Sequence, residues 1–407
     1  MSTSSRTEIV LVASPDGPIT AHDPFSFGPP LARFSTATAA ATIPRNGLAL
    51  VGPRSVQLIA ASHISPSTAA CSVRLYSWCW WSPAPALSLP VPEPVAPLAA
   101  TPDGPPHHLF CGGLSGRIHV LSLPSGDLCR PFTAHTHSVS CLAVNDDGSL
   151  LISASDDGTI AVFPIIHLLD EDPAVEVTSL YTISAHDAPI TCITSGPGGC
   201  NAAIVSSSLD GTCKMWRLAD GVRMRTLTFP CGLWCVTTDP IDSQLYTGGS
   251  DGKVYVVPLI KERVKEPTKR VIWESPHSSG GEVMAMVMAN DNENIVTAYD
   301  DGAVKIWEVK SGLMISTFCV QGGSVSDLIV VRGSGVHGVG GSGVPVVSGF
   351  AERELQRKGS EVWELEKRLS EVREGRNRGL DLAEDAMDVY RRLLVLFLRE
   401  AGGGNNH

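Results

Sequence analysis

The residues best placed to do chemistry in this sequence are two histidines and a recurring set of aspartates. His135 and His186 each follow an alanine, and four aspartates each stand directly before a glycine: Asp157, Asp210, Asp251 and Asp301. Imidazole and carboxylate groups could bind a metal ion or transfer protons. However, these residues return at similar intervals, and a repeat accounts for them as parts of one structural unit. We therefore predict a structural role for them and no catalytic or metal site.

Other catalytic patterns are weak or missing in the sequence. Residues 333–338 match a dinucleotide-binding glycine pattern by letter, but more glycine follows where that motif needs a helix N-terminus. Neither a Gly-x-Ser-x-Gly elbow nor a His-Glu-x-x-His helix occurs. The sequence therefore predicts a protein that is not an enzyme and that uses no cofactor.

The elements that position these residues form a repeat. Its clearest unit, residues 134–163, contains stretches of alternating apolar residues separated by Asp-Gly pairs, which favour tight turns between antiparallel strands. Similar units end at Trp216, Val257 and Trp307, and a weaker copy at 112–121 has Ser115 in place of the turn aspartate. The pattern indicates one four-stranded propeller blade per repeat.

We count seven blades and predict an all-β fold. One blade is expected upstream at 48–76, and a closing blade is expected to be shared between 8–34 and 324–348, which would remove exposed sheet edges. The propeller would span 1–331. Two insertions, 164–177 and 260–279, are predicted to be loops that interrupt no strand.

The C-terminal part has a different composition. Residues 332–349 are rich in Gly, Ser and Val and predict a linker; 350–400 predict a coiled-coil helical arm, and 401–407 a disordered tail. The apolar stripe of the arm comprises Leu355, Val362, Leu365, Leu369, Val372, Leu382, Ala386, Val389, Leu393 and Leu396. The arm could fold back on the propeller or pair with another chain, and that chain could be a second copy or a different protein. We favour self-association.

Composition limits the class of partner. The net charge of -11 argues against strong direct binding to nucleic acid, although the charged run at 261–270 could be either a solvated loop or a basic contact or import signal. Eleven cysteines without a Cys-x-x-Cys pair are typical of reduced thiols in a nuclear or cytosolic protein. No secretory signal or membrane-spanning run is apparent, so we expect a soluble protein.

These repeats resemble the WD-repeat family. The family's Gly-His start appears here as Ala-His, and its Trp-Asp end survives only as Trp216 and Trp307, followed by Arg217 and Glu308. The resemblance implies that the histidine, the turn aspartate and the tryptophan belong to a hydrogen-bonded network inside each blade. The residues that it assigns to this network are His135, Asp157, His186, Asp210, Trp216, Asp251, Asp301 and Trp307.

Residues 185–216 and 246–252, the split closing blade and the terminal helix resemble one particular branch of that family. It is the WD-repeat subunit of the complex that matures the large ribosomal subunit precursor. This implies a scaffold for pre-rRNA processing in the nucleus, nucleolus and nucleoplasm. It also implies PELP-like and TEX-like subunits, a midasin-type AAA ATPase and the pre-60S particle as partners, and a homodimer formed by the terminal helix.

A second hypothesis is a substrate receptor for a ubiquitin ligase or another signalling adaptor, since many WD-repeat proteins have such roles. Docking to a ligase core would call for Trp-Asp followed by Arg at the end of a blade. Trp216-Arg217 and Trp307-Glu308 both lack that form. We therefore keep this function as the alternative.

Overall fold

The computed structural model describes residues 8–332 except 26–27, 35–41, 53–57, 66–70, 78–84, 102–107, 124–125, 130, 170–176, 260–270, 275–280, 290–291 and 321–322. Within these residues the chain forms seven four-stranded antiparallel sheets. The predicted linker 332–349, arm 350–400 and tail 401–407 lie outside the described residues, apart from Arg332. The predicted seven-bladed, all-β propeller is confirmed.

Four blades come from the first part of the chain. Blade 1 contains β4 (Leu48–Val51), β5 (Leu58–Ile64), β6 (Cys71–Ser77) and β7 (Leu87–Val91); blade 2 contains β8 (Val95–Ala100), β9 (His108–Gly113), β10 (Arg117–Ser122) and β11 (Phe132–Thr133). Blade 3 contains β12 (Val139–Val144), β13 (Leu150–Ser155), β14 (Thr159–Pro164) and β15 (Tyr181–Ser184); blade 4 contains β16 (Ile190–Ser195), β17 (Ala203–Ser208), β18 (Thr212–Arg217) and β19 (Arg223–Thr228).

The remaining blades follow the same order, with the closing blade drawn from both ends. Blade 5 contains β20 (Leu233–Thr238), β21 (Gln244–Gly249), β22 (Val254–Pro258) and β23 (Val271–Trp273); blade 6 contains β24 (Val283–Ala289), β25 (Asn294–Tyr299), β26 (Ala303–Glu308) and β27 (Met314–Cys319). Blade 7 contains β28 (Asp327–Arg332), β1 (Glu8–Ala13), β2 (Ile19–His22) and β3 (Ala32–Phe34). A short helix, α1 (Ile165–Leu168), and a 3-10 turn at Gly199–Asn201 complete the described elements.

The first strand of each blade lies at the central axis. These seven inner strands contact one another in sequence around the ring, from β4 through β8, β12, β16, β20 and β24 to β28 and back to β4. The ring closes where β28 pairs antiparallel with β1, from Glu8 opposite Arg332 to Ala13 opposite Asp327. Closure therefore relies on backbone hydrogen bonds between residues more than three hundred positions apart.

Both faces of each sheet are buried because each blade packs between two others. The strands in the middle of a sheet are accordingly buried on both faces, as in β13, where all six residues are buried, whereas outer strands such as β15 contain exposed residues. Between blades 3 and 4, for example, Ile152 and Ile160 pack in one cluster with Ile190 and Trp216. The core of the propeller is thus a series of apolar layers between successive blades.

The Asp-Gly turns require glycine at the position following the aspartate. Gly158 has a positive φ, and a Cβ added there would collide with the backbone carbonyl of His186 in the next loop. Glycine adopts this conformation without steric cost. Glycine is therefore required at this position of the repeat, both because φ is positive and because the neighbouring backbone approaches closely.

The prediction that the insertion at 260–279 interrupts no strand is wrong. The outer strand β23 (Val271–Trp273) lies within it and pairs with β22. Trp273 is buried and stacks on Trp307 of blade 6, with the ring centroids 5.9 Å apart. Three residues flanked by polar sequence are too short to show strand periodicity. The strand forms because it pairs with β22 and buries Trp273.

In the described part of the chain, no helix combines the length and apolar character needed to cross a membrane.

Candidate functional site

The predicted network is most complete in blade 4. His186 lies in the loop before the inner strand β16, and its Nδ1 is 2.9 Å from Asp210 Oδ2 in the turn between β17 and β18. The other ring nitrogen, Nε2, is 2.8 Å from Ser206 Oγ on β17. Trp216 Nε1 donates to the same hydroxyl oxygen at 3.1 Å. The network thus connects a loop, a turn and two strands of one blade.

A neutral imidazole satisfies every group in this chain. Nδ1–H donates to the Asp210 carboxylate, Nε2 accepts the Ser206 hydroxyl proton, and the hydroxyl oxygen accepts the indole N–H. Burial lowers the pKa of His186 and outweighs the carboxylate of Asp210, which acts in the opposite direction. Burial also disfavours ionised Asp210, but hydrogen bonds from Thr212 and His186 prevail and lower its pKa. The geometry therefore fixes the loop to the strands, and each polar group of the network already has a hydrogen-bond partner.

Blade 3 contains a looser version of the network. His135 Nε2 is 2.8 Å from Ser153 Oγ, and Nδ1 is 2.8 Å from Thr159 Oγ1, whereas Asp157 Oδ2 is 3.8 Å from Nδ1. The position equivalent to Trp216 is Phe163, which has no N–H to donate. Burial opposes ionisation of Asp157, but hydrogen bonds from Thr159 and Thr136 prevail and lower its pKa to about 2. Threonine thus takes the direct contact with histidine that aspartate makes in blade 4.

Blades 5 and 6 keep only parts of the network. In blade 6, Trp307 Nε1 donates to Thr297 Oγ1 at 2.9 Å, and Asp301 Oδ1 accepts the backbone N–H of Ala303 at 2.9 Å. In blade 5, Asp251 Oδ2 accepts the Tyr255 hydroxyl proton at 2.7 Å. The predicted residues are therefore brought together in blades 3 and 4 but are held by different partners in blades 5 and 6.

Blade 2 replaces the network with a pair that the sequence analysis missed. Its turn has Ser115 instead of aspartate, and the carboxylate comes from Glu93, two residues before the inner strand. Glu93 Oε1 is 2.6 Å from His119 Nε2 and accepts the Ser115 hydroxyl at 2.8 Å. Burial by itself would raise the pKa of Glu93, but the hydrogen bonds with His119 and Ser115 together have the larger effect. The pKa of Glu93 is therefore below its ordinary value. Compared with blade 4, the carboxylate lies in the loop instead of the turn, and the histidine lies on a strand instead of in the loop. The spacing of residues along the sequence therefore does not reveal this pair.

A second feature that the sequence analysis missed lies at the axis. Five inner strands have a register shift near their first residue, at Val95/Leu98, Val139/Cys141, Ile190/Cys192, Leu233/Cys235 and Val283/Ala285. Such bulges turn a backbone carbonyl away from the ladder. The carbonyls of four residues within these shifts, Ser140, Thr191, Trp234 and Met284, instead accept hydrogen bonds from a single loop.

That loop precedes β4 and supplies Arg45 and Asn46. Arg45 Nη2 donates to the carbonyls of Trp234 at 2.8 Å and Met284 at 3.2 Å, in blades 5 and 6. Asn46 Nδ2 donates to the carbonyl of Ser140 in blade 3 at 3.0 Å, and Asn46 O accepts the backbone N–H of Leu98 in blade 2. Asn46 has a φ of 54°, a left-handed conformation that asparagine tolerates. We call these two residues the axial clasp, because they connect inner strands on several sides of the ring.

Asp327 completes the set of polar contacts between inner strands. Its side chain, on the innermost strand of blade 7, accepts the backbone N–H of Leu48 in blade 1 at 2.8 Å. Burial raises the pKa of Asp327 to about 6. Among the residues that the structure describes, no group of three His, Cys, Asp or Glu side chains is arranged to hold a metal ion.

Seven four-stranded sheets in a closed ring, with a His–Ser–Trp network inside a blade, define a WD-repeat β-propeller. The family model for the WD domain, G-beta repeat, matches residues 126–163, 177–217 and 270–308, which fall in blades 2–3, 3–4 and 5–6. The chain therefore forms a seven-bladed β-propeller that contains WD repeats.

Individual proteins are similar to the chain over longer stretches than the family model. The chain is 32% identical over 296 residues to the Arabidopsis thaliana protein ROOT INITIATION DEFECTIVE 3, covering 71% of this chain and 65% of the relative. It is 28% identical to WD repeat-containing protein 18 of Homo sapiens, covering 57% and 54% respectively. It is also 28% identical to the pre-rRNA-processing protein crb3/ipi3 of Schizosaccharomyces pombe, covering 42% and 39%. The chain thus spans between about two fifths and two thirds of the length of these relatives.

Proposed function

We propose that this protein is a non-enzymatic scaffold subunit in maturation of the large ribosomal subunit precursor and in pre-rRNA processing. The observation that carries the proposal is the closed propeller, whose sequence is similar to that of relatives named as pre-rRNA-processing proteins. The histidine and carboxylate groups of blades 2 and 4 are used in internal hydrogen bonds, which supports a role in binding rather than in catalysis. Its work would therefore be to hold other proteins in position.

The proposed partners are PELP-like and TEX-like subunits, a midasin-type AAA ATPase and the pre-60S particle. The proposed location is the nucleus, with nucleolar and nucleoplasmic pools, where these precursors are processed. The net charge of -11 supports contact with proteins rather than direct binding to RNA over most of the surface.

Affinity purification of the tagged full-length chain tests this function. Recovery of PELP-like and TEX-like subunits together with large-subunit precursors is expected, and depletion of the protein should lead to accumulation of unprocessed pre-rRNA. Recovery of a ubiquitin ligase core or signalling proteins, with normal pre-rRNA, would instead support the receptor or adaptor alternative.

The apolar stripe within 350–400 is proposed to form a homodimer. The measurement is the mass in solution of the full chain compared with a chain that ends at Phe350. A dimer that becomes a monomer on truncation is expected. A monomer in both cases would contradict self-association, and a dimer in both cases would place the interface on the propeller.

A further inference from the structure

The axial clasp contains the only Asn-Gly pair in the sequence, Asn46-Gly47. Asparagine is a thermolabile residue, because the backbone nitrogen that follows it can attack its side-chain carbonyl carbon without the help of an enzyme. Glycine has no side chain to obstruct that attack. The loop that joins the inner strands of several blades therefore contains a dipeptide with reactive chemistry of its own.

The reaction passes through a five-membered ring. The Gly47 nitrogen forms a bond with Cγ of Asn46, the Cγ–Nδ2 bond breaks, and Nδ2 leaves as ammonia together with the proton of the Gly47 nitrogen. Water then opens the ring. Attack of water at Cγ gives aspartate, whereas attack at the backbone carbonyl carbon gives isoaspartate, in which the main chain runs through Cβ and Cγ. Water is the only other reactant.

The side-chain amide of Asn46 is held by two other blades. Its Nδ2 donates to the backbone carbonyl of Ser140 in blade 3 at 3.0 Å and lies 3.3 Å from the sulfur of Cys141. The carbonyl oxygen of Thr191, in blade 4, is 3.5 Å from the same nitrogen. Because Nδ2 is the group that leaves, these contacts are lost as the ring forms. The closed propeller therefore opposes the reaction at its leaving group.

The backbone around the attacking nitrogen is held as well. The carbonyl of Asn46 accepts the N–H of Leu98 in blade 2 at 2.9 Å. The carbonyl of Gly47 accepts the N–H of Ser62 in blade 1 at 2.9 Å. Gly47 is buried, and a Cβ added there would lie 2.7 Å from the carbonyl oxygen of Pro44. This packing keeps water from the Gly47 nitrogen, whose proton has to be removed before it can attack.

We propose that Asn46 is a deamidation site that closure of the ring protects, and that its conversion keeps the axial clasp from forming again. The Gly47 nitrogen attacks only after the loop has left the axis, so the rate in the folded protein depends on the fraction of molecules in which the loop is open. A carboxylate at position 46 donates no hydrogen bond, and it would face the carbonyl oxygen of Ser140. Chemical conversion of a transiently opened chain makes the loss of structure irreversible. This protection is independent of the scaffold function proposed above.

The test follows residue 46 by peptide mass spectrometry while the full-length protein is kept in mildly alkaline buffer. The unprotected reference is a synthetic peptide with the sequence of residues 42–51. Asn46 in the folded protein should deamidate at least tenfold more slowly than in the peptide, because only molecules with an open loop react. A rate in the folded protein within twofold of the peptide rate would overturn the proposal.

Two variants that leave residues 42–51 unchanged separate opening of the loop from unfolding of the whole propeller. Trp234→Ala removes the ring that lies against the Arg45 guanidinium and should accelerate deamidation at least threefold. Ser206→Ala weakens the network of blade 4 without touching the clasp and should leave the rate within twofold. No acceleration in Trp234→Ala, or an equal acceleration in Ser206→Ala, would show that the clasp does not control the reaction.

The effect of conversion is measured on Asn46→Asp, which reproduces one of the two products. Its urea midpoint should lie below that of Asn46→Gly, which loses the same hydrogen bond to Ser140 but places no charge beside the carbonyl oxygen. A midpoint equal to or above that of Asn46→Gly would contradict the claim that conversion keeps the clasp from forming again.

Discussion

The guanidinium of Arg45 lies over the indole ring of Trp234, 4.6 Å from its centroid, and donates a hydrogen bond to the backbone carbonyl of the same residue. One residue of the loop before blade 1 is thereby joined to blade 5 on another part of the ring. A cation–π contact and a hydrogen bond at one site reinforce each other because both depend on the same placement of the guanidinium. Within the axial clasp, the contact between Arg45 and Trp234 thus combines two kinds of interaction.

Loss of the clasp should weaken the whole ring. We expect Arg45→Ala to lower the free energy of unfolding by about 2 kcal/mol, because a cation–π contact and two hydrogen bonds to carbonyls are lost. Asn46→Gly keeps the left-handed backbone and should cost about 1 kcal/mol through its side chain alone. Urea denaturation measures both. The matched control is Arg223→Ala, and an Arg45→Ala effect no larger than that of the control would contradict the clasp.

Two serines at the same position of neighbouring blades should differ in their contribution to stability. Ser206 bonds both His186 and Trp216, whereas Ser153 bonds His135, and the position equivalent to Trp216 is held by Phe163, which has no N–H. Ser206→Ala leaves two buried groups without their partner and should cost about 2–3 kcal/mol; Ser153→Ala should cost about 1 kcal/mol. Thermal or urea unfolding of both variants gives the comparison. Equal losses would mean that the indole N–H contributes nothing to the network.

Asp327 should make the folded protein more stable when it is protonated. Its pKa in the folded state, about 6, is above the ordinary value of 3.8 because it is buried. The folded state therefore binds the proton more tightly, and stability from this group falls as the pH rises from about 4 to about 6. The difference of about 2 pKa units corresponds to about 3 kcal/mol.

Asp327→Asn removes the charge while the amide oxygen can still accept the N–H of Leu48; the hydrogen bond from the Leu328 N–H to Oδ1 is lost at every pH, so the effect of the charge is the part of the difference that changes with pH. We expect the stability of the variant relative to the original protein to be higher at pH 7 than at pH 4. Unfolding curves at a series of pH values provide the measurement. A constant difference between the two proteins across this range would show that Asp327 does not titrate as proposed.

His63 should have the opposite pH dependence. Burial, with a smaller contribution from Arg74, lowers its pKa to about 4, and its Nε2 is 3.1 Å from the hydroxyl of Tyr76. The unfolded chain binds a proton near pH 6.5 and the folded chain does not, so stability is lost as the pH falls from about 6.5 towards 4. The slope of stability against pH in this range should be smaller in His63→Gln. Parallel pH profiles for the two proteins would contradict this prediction.

The repeated blades could be predicted from sequence because each is encoded locally. Asp-Gly pairs such as Asp157-Gly158 determine the turns, and alternating runs determine the strands, so the number of blades and the closing blade follow from short windows of sequence. The histidine and tryptophan of blade 4 were found for the same reason, since the repeat marks their positions.

Tertiary structure alone decided which residues replace a missing partner. Glu93 compensates for Ser115 because the loop and the turn meet in space, and Glu93 does not occupy the turn position at which the repeat places its aspartate. Arg45 reaches the carbonyl of Trp234 across 189 positions, and an ordinary arginine beside an Asn-Gly pair has no pattern that predicts such a contact. Local sequence preferences determine the strands and turns of each blade. Contacts between distant blades depend on closure of the ring, because only closure brings together residues that are far apart in the sequence.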